Sequence, residues 1–185
     1  MVEIAGCNIP NQPDELTIEQ FDKINFITSN EEFDDIEKWV NKFVYLGVNE
    51  DAFDDMEMEE FYDSIARWND QPPHPKDKVL SIEIDGYTYE AKESIGVKDL
   101  GMIEKVWKSG GANFAAETLS IIYKRSDLGK VEHYAPAHIK HKISLFKKQP
   151  SSIVIPYIIE ILEKLTKTTQ QIKNAVTEEL VTDND

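Results

Sequence analysis

The chain has 185 residues, 41% of them hydrophobic, and a formal net charge of −15, which gives enough apolar material for a core in one or two domains and disfavours direct contact with a nucleic-acid backbone. No stretch nears the ~20 apolar residues of a membrane span, and the opening MVEIAGCNIPNQPDE lacks a basic start followed by an apolar run, so neither a membrane anchor nor a secretory signal is expected. The lone cysteine, Cys7, excludes an internal disulfide and fits a reducing compartment; with no histidine placed beside it, it is not read as a catalytic thiol.

The charge is unevenly distributed. Residues 1–71 hold 19 Asp and Glu against 4 Lys and Arg, whereas residues 72–185 hold 16 of each class. The first part repels phosphates and attracts basic surfaces.

In chain order, the first residues read as a frayed terminus. Leu16, Phe21, Ile24 and Ile27 then predict a short helix over 16–28, with Thr17 and Gln20 spaced as a capping box. A second capping pair, Ser29 and Glu32, opens the clearest amphipathic stretch, Phe33, Ile36, Trp39, Val40, Phe43 and Val44, which Gly47 stops. A third acidic helix runs from about Asp55 to Trp68, with Met58, Phe61, Tyr62, Ile65 and Trp68 on one side. Pro72, Pro73, His74 and Pro75 cannot lie inside a helix or a central strand and mark a linker over 72–78.

After the linker, Val79 to Ala91 is the stretch where turn chemistry and alternation agree on a β-hairpin. Asp85-Gly86 is a two-residue turn that sets Ile84 opposite Tyr87, Ile82 opposite Tyr89 and Leu80 opposite Ala91 on an apolar face, with Glu83/Thr88 and Ser81/Glu90 on the wet face. Such a hairpin is marginal by itself and needs helices over its apolar face. Helical stripes follow over 99–107, closed by Ser109-Gly110-Gly111, and over 114–125, with Asn113 at its start. Residues 126–135 read as loop and 137–148 as helix. The segment 150–167 is the most apolar, a core helix that Pro156 either starts or kinks. The predicted fold class is therefore α+β and mostly helical, with helices packed on one small hairpin. The predicted organisation is an acidic helical region 1–71, the linker, a core domain 79–168, and a weakly helical, partly disordered tail 169–185.

The chemistry-bearing residues are sparse. His138 and His141 lie one turn apart with His133 nearby, but a fourth ligand is missing and Lys140 and Lys142 flank the pair, so no metal site is assigned. Lys140, Lys142, Lys147 and Lys148 form a basic patch on the outer face of that helix. The acidic run Glu50 to Asp55 lacks the alternating oxygen ligands and central glycine of a calcium loop. Gly110-Gly111 lacks the features of a phosphate loop, and no nucleophile elbow or isolated carboxylate pair stands out. The residues point to no enzyme and no cofactor.

The order ELTIEQFDKI, then IEIDGYTYEA with DLGMIEKVW, then AAETLSIIYKR and KKQPSSIVIPYIIEILEKL, resembles the tail assembly chaperones of tailed bacteriophages, in particular the baseplate-hub assembly proteins of contractile-tailed phages. The parts that carry the resemblance are the hairpin Ile82 to Tyr89, its following helix, the stretch Ala116 to Arg125, and a terminal apolar helix entered through proline. It spans about Glu15 to Leu165. The resemblance implies a non-enzymatic factor that binds a phage tail or baseplate protein during virion morphogenesis, in the host cytoplasm or in the tail or baseplate itself, without direct nucleic-acid or membrane contact. On this expectation Phe33, Trp39, Phe43, Phe61 and Trp68 contact the partner. A structural virion subunit and an acidic nucleic-acid mimic that inhibits a host protein are the alternatives.

Overall fold

The computed structural model describes residues 1–70, 77–131 and 136–182, with side chains described for 1–70, 77–128 and 139–168. Pro72, Pro73, His74 and Pro75, His133 and the side chain of His138 lie outside the described residues. The chain is α+β and mostly helical, as its periodicities predict.

Strands β1 (Val2–Ile4) and β2 (Cys7–Ile9) pair through Ala5-Gly6, whose φ angles of 47° and 72° are those of a tight hairpin turn. The first residues are therefore not frayed; Ile4 and Ile9 are fully buried. Helix α1 (Ile18–Ser29) starts at the expected capping box, Thr17 with Gln20. Helix α2 (Asp35–Tyr45) starts five residues later than the Ser29/Glu32 pair suggests, because Asp34 and Glu37 form the capping box, while Ser29 ends α1. It stops as predicted: Gly47 takes φ 113°, its amide bonds Val44 O, and Val48 N bonds Phe43 O, which satisfies the last carbonyls. A 3-10 turn (Glu50–Phe53) leads to α3 (Met58–Asn69).

The central hairpin forms in the predicted register. In β3 (Ser81–Ile84) and β4 (Tyr87–Ala91), Ile84 faces Tyr87 and Ile82 faces Tyr89, and Asp85 and Gly86 both take positive φ. Two features depart from expectation. Helix α4 (Val97–Lys108) is followed by a shorter α5 (Phe114–Ile122), and Tyr123–Arg125 leaves the helix to become β5, a third strand antiparallel to β4. Helix α6 (Pro136–Phe146) follows a 3-10 turn, Ser126–Val131. Helix α7 (Ile155–Thr182) places Pro156 in its first turn, where no amide is needed, so the proline starts the helix and does not kink it.

Two hydrophobic cores result. The first joins Ile4, Ile9, Leu16, Ile24, Phe43, Leu46, Val48 and Trp68, all from the first 70 residues. The second is built from the three-stranded sheet and helices α4 to α7, around Tyr89, Ile103, Leu119, Tyr123, Phe146, Tyr157 and Ile161. Helix α1 serves both: Ile18 and Phe21 join the second core and Ile24 the first. Its exposed first-turn amides are met from the far end of the chain. Ile18 N bonds Gln149 O at 2.8 Å and Glu19 N bonds Lys147 O at 3.0 Å, while Thr17 Oγ1 accepts from Gln20 N. Ser151 N returns a bond to Leu16 O at 2.7 Å and its hydroxyl donates to Pro13 O at 3.0 Å.

Candidate partner-binding surface

The amphipathic spacing that brings aromatic residues onto one side of α2 and α3 turns that side inward. Trp68, Trp39, Phe43, Phe53, Phe61 and Tyr62 form a continuous chain with ring centroids 5.7 to 6.2 Å apart. Of the five residues expected to contact a partner, Phe43 is 0%, Phe61 4% and Trp68 8% exposed, so these three are core and not docking surface. The Trp68 indole N–H is also engaged, donating to Pro10 O at 3.1 Å. Trp39 is half-buried between Trp68 and Phe43, and Phe33 is half-buried just before the cap of α2. The correction has a simple cause: short helices with one apolar stripe need that stripe for their own burial. The large apolar side chains that α3 does expose are Met58 and Tyr62, one turn apart.

The cations of the acidic region do little to neutralise it. Lys42 lies over the Trp39 ring at 3.9 Å, and its burial, with Lys38 nearby, lowers its affinity for a proton. Lys23 lies over Phe26 at 5.2 Å, and Arg67 donates to Ser64 Oγ at 3.0 Å. Among the described residues, ion pairs in this region reach Glu15, Glu19 and Asp35, and Glu19 is met by Lys147 from the second core. Glu59, Glu60 and Asp63 on α3 and Glu57 at its N-cap, with Glu50, Asp51, Asp54 and Asp55 before it, stand exposed. The result is a carboxylate-covered face with Met58 and Tyr62 set into its edge.

The second core is electrostatically balanced. Glu160 on α7 is 2.6 Å from Lys78 and 2.8 Å from Lys164; burial pushes its carboxyl up, and the two ammonium groups more than offset that, so it titrates below the ordinary range. Tyr123 and Tyr157 hydroxyls both donate to Val79 O, and burial raises both phenols. The basic patch read from the sequence is divided by the fold. Lys142 is buried and donates to Tyr123 O at 2.6 Å, Lys147 is half-buried against Glu19, and Lys140, Lys148 and His141 are exposed. Among the described residues no three His, Cys, Asp or Glu come together as metal ligands. Cys7 is half-buried in β2, its thiol donating to Gly47 O at 3.4 Å.

Between the two cores lies a group that the sequence reading passed over. Asp22, 1% exposed, accepts from Ala115 N at 2.7 Å and Ala116 N at 3.3 Å. The available signal was its position four residues after Ile18, which puts an acid in line with the buried stripe of α1. Neither a family model, nor a curated protein, nor a solved structure matches this chain. No helix among the described residues is long and apolar enough to cross a membrane.

Proposed function

We propose that this chain is a non-enzymatic assembly factor, chaperone-like in action, that binds a tail or baseplate-hub protein of a contractile-tailed phage during particle assembly in the host cytoplasm. The observation that carries the reading is the exposed carboxylate face of α3 and the turn before it, which among the described residues makes no ion pair while Lys42 and Lys23 lie over aromatic rings. Such a face raises the encounter rate with a basic client and keeps a loaded complex soluble through its net charge. Met58 and Tyr62 add the apolar contact that survives when charge is screened. The resemblance over Glu15 to Leu165 supplies the identity of the client class.

The test is affinity capture of the tagged chain from phage-producing cells, read by mass spectrometry beside purified particles. A tail or baseplate protein in the capture, with this chain absent from particles, supports the assembly factor. Presence in both makes it a structural subunit. Capture of a host DNA-binding protein, lost between low and moderate salt, replaces the proposal with a nucleic-acid mimic.

A further inference from the structure

The central hairpin leaves one side of β3 open. Its two-residue turn makes Ile84 and Tyr87 a hydrogen-bonded pair, and bonded pairs alternate from there through Ile82 with Tyr89 to Leu80, whose carbonyl accepts from Ala91 N at 2.8 Å. Ser81 and Glu83 therefore turn their backbone N–H and C=O groups away from β4. The strand order β3-β4-β5 puts these groups at the edge of the sheet, and among the described residues none bonds to them. Next to them Leu80 is 54% exposed, although it shares a face of the strand with the core residues Ile82 and Ile84. The start of the strand is held in place: Val79 O accepts from the Tyr123 and Tyr157 hydroxyls, and Lys78 is 2.6 Å from Glu160.

This edge is complementary to itself. With a second copy antiparallel to it and the two Ile82 residues face to face, Ser81 of each chain lies opposite Glu83 of the other. Every outward donor then meets an outward acceptor. The same register sets Leu80 opposite Ile84 of the second copy on the apolar face, and brings Lys78 at one end beside Asp85 at the other. A charge on an edge strand ordinarily keeps a second copy away. Here the glutamate stands one residue from the two-fold axis and meets a serine in place of itself. The surroundings also permit approach, because residues 72–185 hold 16 acids and 16 bases while the excess negative charge lies in residues 1–71.

We infer that the β3 edge is a self-association surface, through which two copies of this chain pair at Ser81 and Glu83 into one continuous sheet with three strands from each. The contact is short and below the usual size of a permanent interface, so the dimer is weak and forms as concentration rises. It uses the second core alone and is separate from the acidic face.

Sedimentation equilibrium of the full chain from micromolar to millimolar concentration, with hydrogen exchange of the Ser81 and Glu83 amides at both ends of that range, tests this. The expected result is a monomer–dimer equilibrium in which both amides gain protection in the dimer. Ser81→Pro removes an N–H that β4 does not use, and is expected to abolish the dimer while near-ultraviolet circular dichroism stays native. Ser81→Lys faces Glu83 of the other chain and is expected to tighten the dimer, and Ser81→Glu to weaken it, by about twofold to thirtyfold each, since each change enters the contact twice. Adding Glu83→Lys to Ser81→Lys sets like charges opposite and is expected to lose the gain, although the chain is then less negative. A monomer at millimolar concentration, a dimer that survives Ser81→Pro with its protection unchanged, or association that follows net charge alone overturns the pairing. So does protection of Ser81 and Glu83 that arises only on adding another protein, which would make the edge a site for a foreign strand. If Ser81→Pro fails to fold, the charge variants decide.

Discussion

The two cores are built of similar side chains and differ in how they treat charge. The first is small and holds Trp68, Trp39, Phe43, Phe53 and Phe61 in a chain of rings that ends at the exposed Tyr62, beneath a surface of carboxylates with few counter-charges. The second is larger, holds the fully buried rings of Tyr89, Tyr123, Phe146 and Tyr157 among aliphatic side chains, and ties its polar groups inward through Tyr123, Tyr157, Lys142 and the Lys78, Glu160 and Lys164 cluster. The difference lies in the treatment of charge: the carboxylates over the first core face water largely without counter-charges, while the second core pairs or buries its polar groups. It also separates tasks, one region presenting charge and the other providing the scaffold.

The comparison is sharpest at the fully buried rings. Phe43→Ala is expected to cost about 3 to 5 kcal/mol and to move the fluorescence of Trp39 and Trp68 at lower urea than that of Trp107, which reports the second core. Superimposable transitions from the three tryptophans, separated by single-tryptophan variants, would mean that the cores melt as one. Removing a hydroxyl from the second core is a smaller change. Tyr157→Phe leaves the ring packing and takes one bond from Val79 O, for about 0.5 to 1.5 kcal/mol in chemical denaturation. Asp34→Ala removes the capping box of α2 and should cost about 1 kcal/mol in the same assay, felt in the first core. At the surface, Glu59→Lys with Asp63→Lys is expected to change stability by no more than about 0.5 kcal/mol while weakening client capture, measured as retained client at fixed salt.

Acid should act with opposite sign on the second core and on the contact between α1 and α5. Glu160 titrates below the ordinary carboxylate range, so its contribution to the second core is present above that range and is lost as pH falls through its lowered value. Asp22 acts in the opposite direction between about 4 and 7, as its raised value requires. Glu160→Gln should therefore reduce the loss of stability in acid; an unchanged acid limb would show that its two lysine contacts add nothing net.

How much of this was legible depended on whether the determining contacts were local. The β3–β4 register followed from Asp85-Gly86 and strict alternation, both contained within thirteen residues. The β1–β2 hairpin escaped because its strands are three residues each and its turn, Ala5-Gly6, lacks the usual Asn or Asp. Strand β5 escaped because Tyr123 continues the helical stripe of α5; only pairing with β4 pulls it out. Two capping pairs compete before α2, and local spacing does not rank them. The aromatic side of α2 and α3 was visible, but a pattern of apolar residues says that a face is covered without saying by what. That is why Phe43, Phe61 and Trp68 read as contacts for another protein and are instead buried, joined to one another through Trp39 and Phe53. The Asp22 cap is non-local in the strongest sense, since its partners lie more than ninety residues away.

The bonds that complete the start of α1 carry a consequence for the order in which the chain can mature. Ile18 and Glu19 take their acceptors from Gln149 and Lys147, and Leu16 and Pro13 take their donors from Ser151. A ribosome releasing this protein exposes the acidic region and its aromatic side chains well before those carbonyls emerge. At ~5 to 20 residues per second, the interval lasts on the order of ten seconds. During it, α1 has neither its far-end acceptors nor the second core to lie on. The start of α1 thus stays without these partners until residues 147–151 emerge, with the region's high negative charge as the protection against aggregation in the meantime.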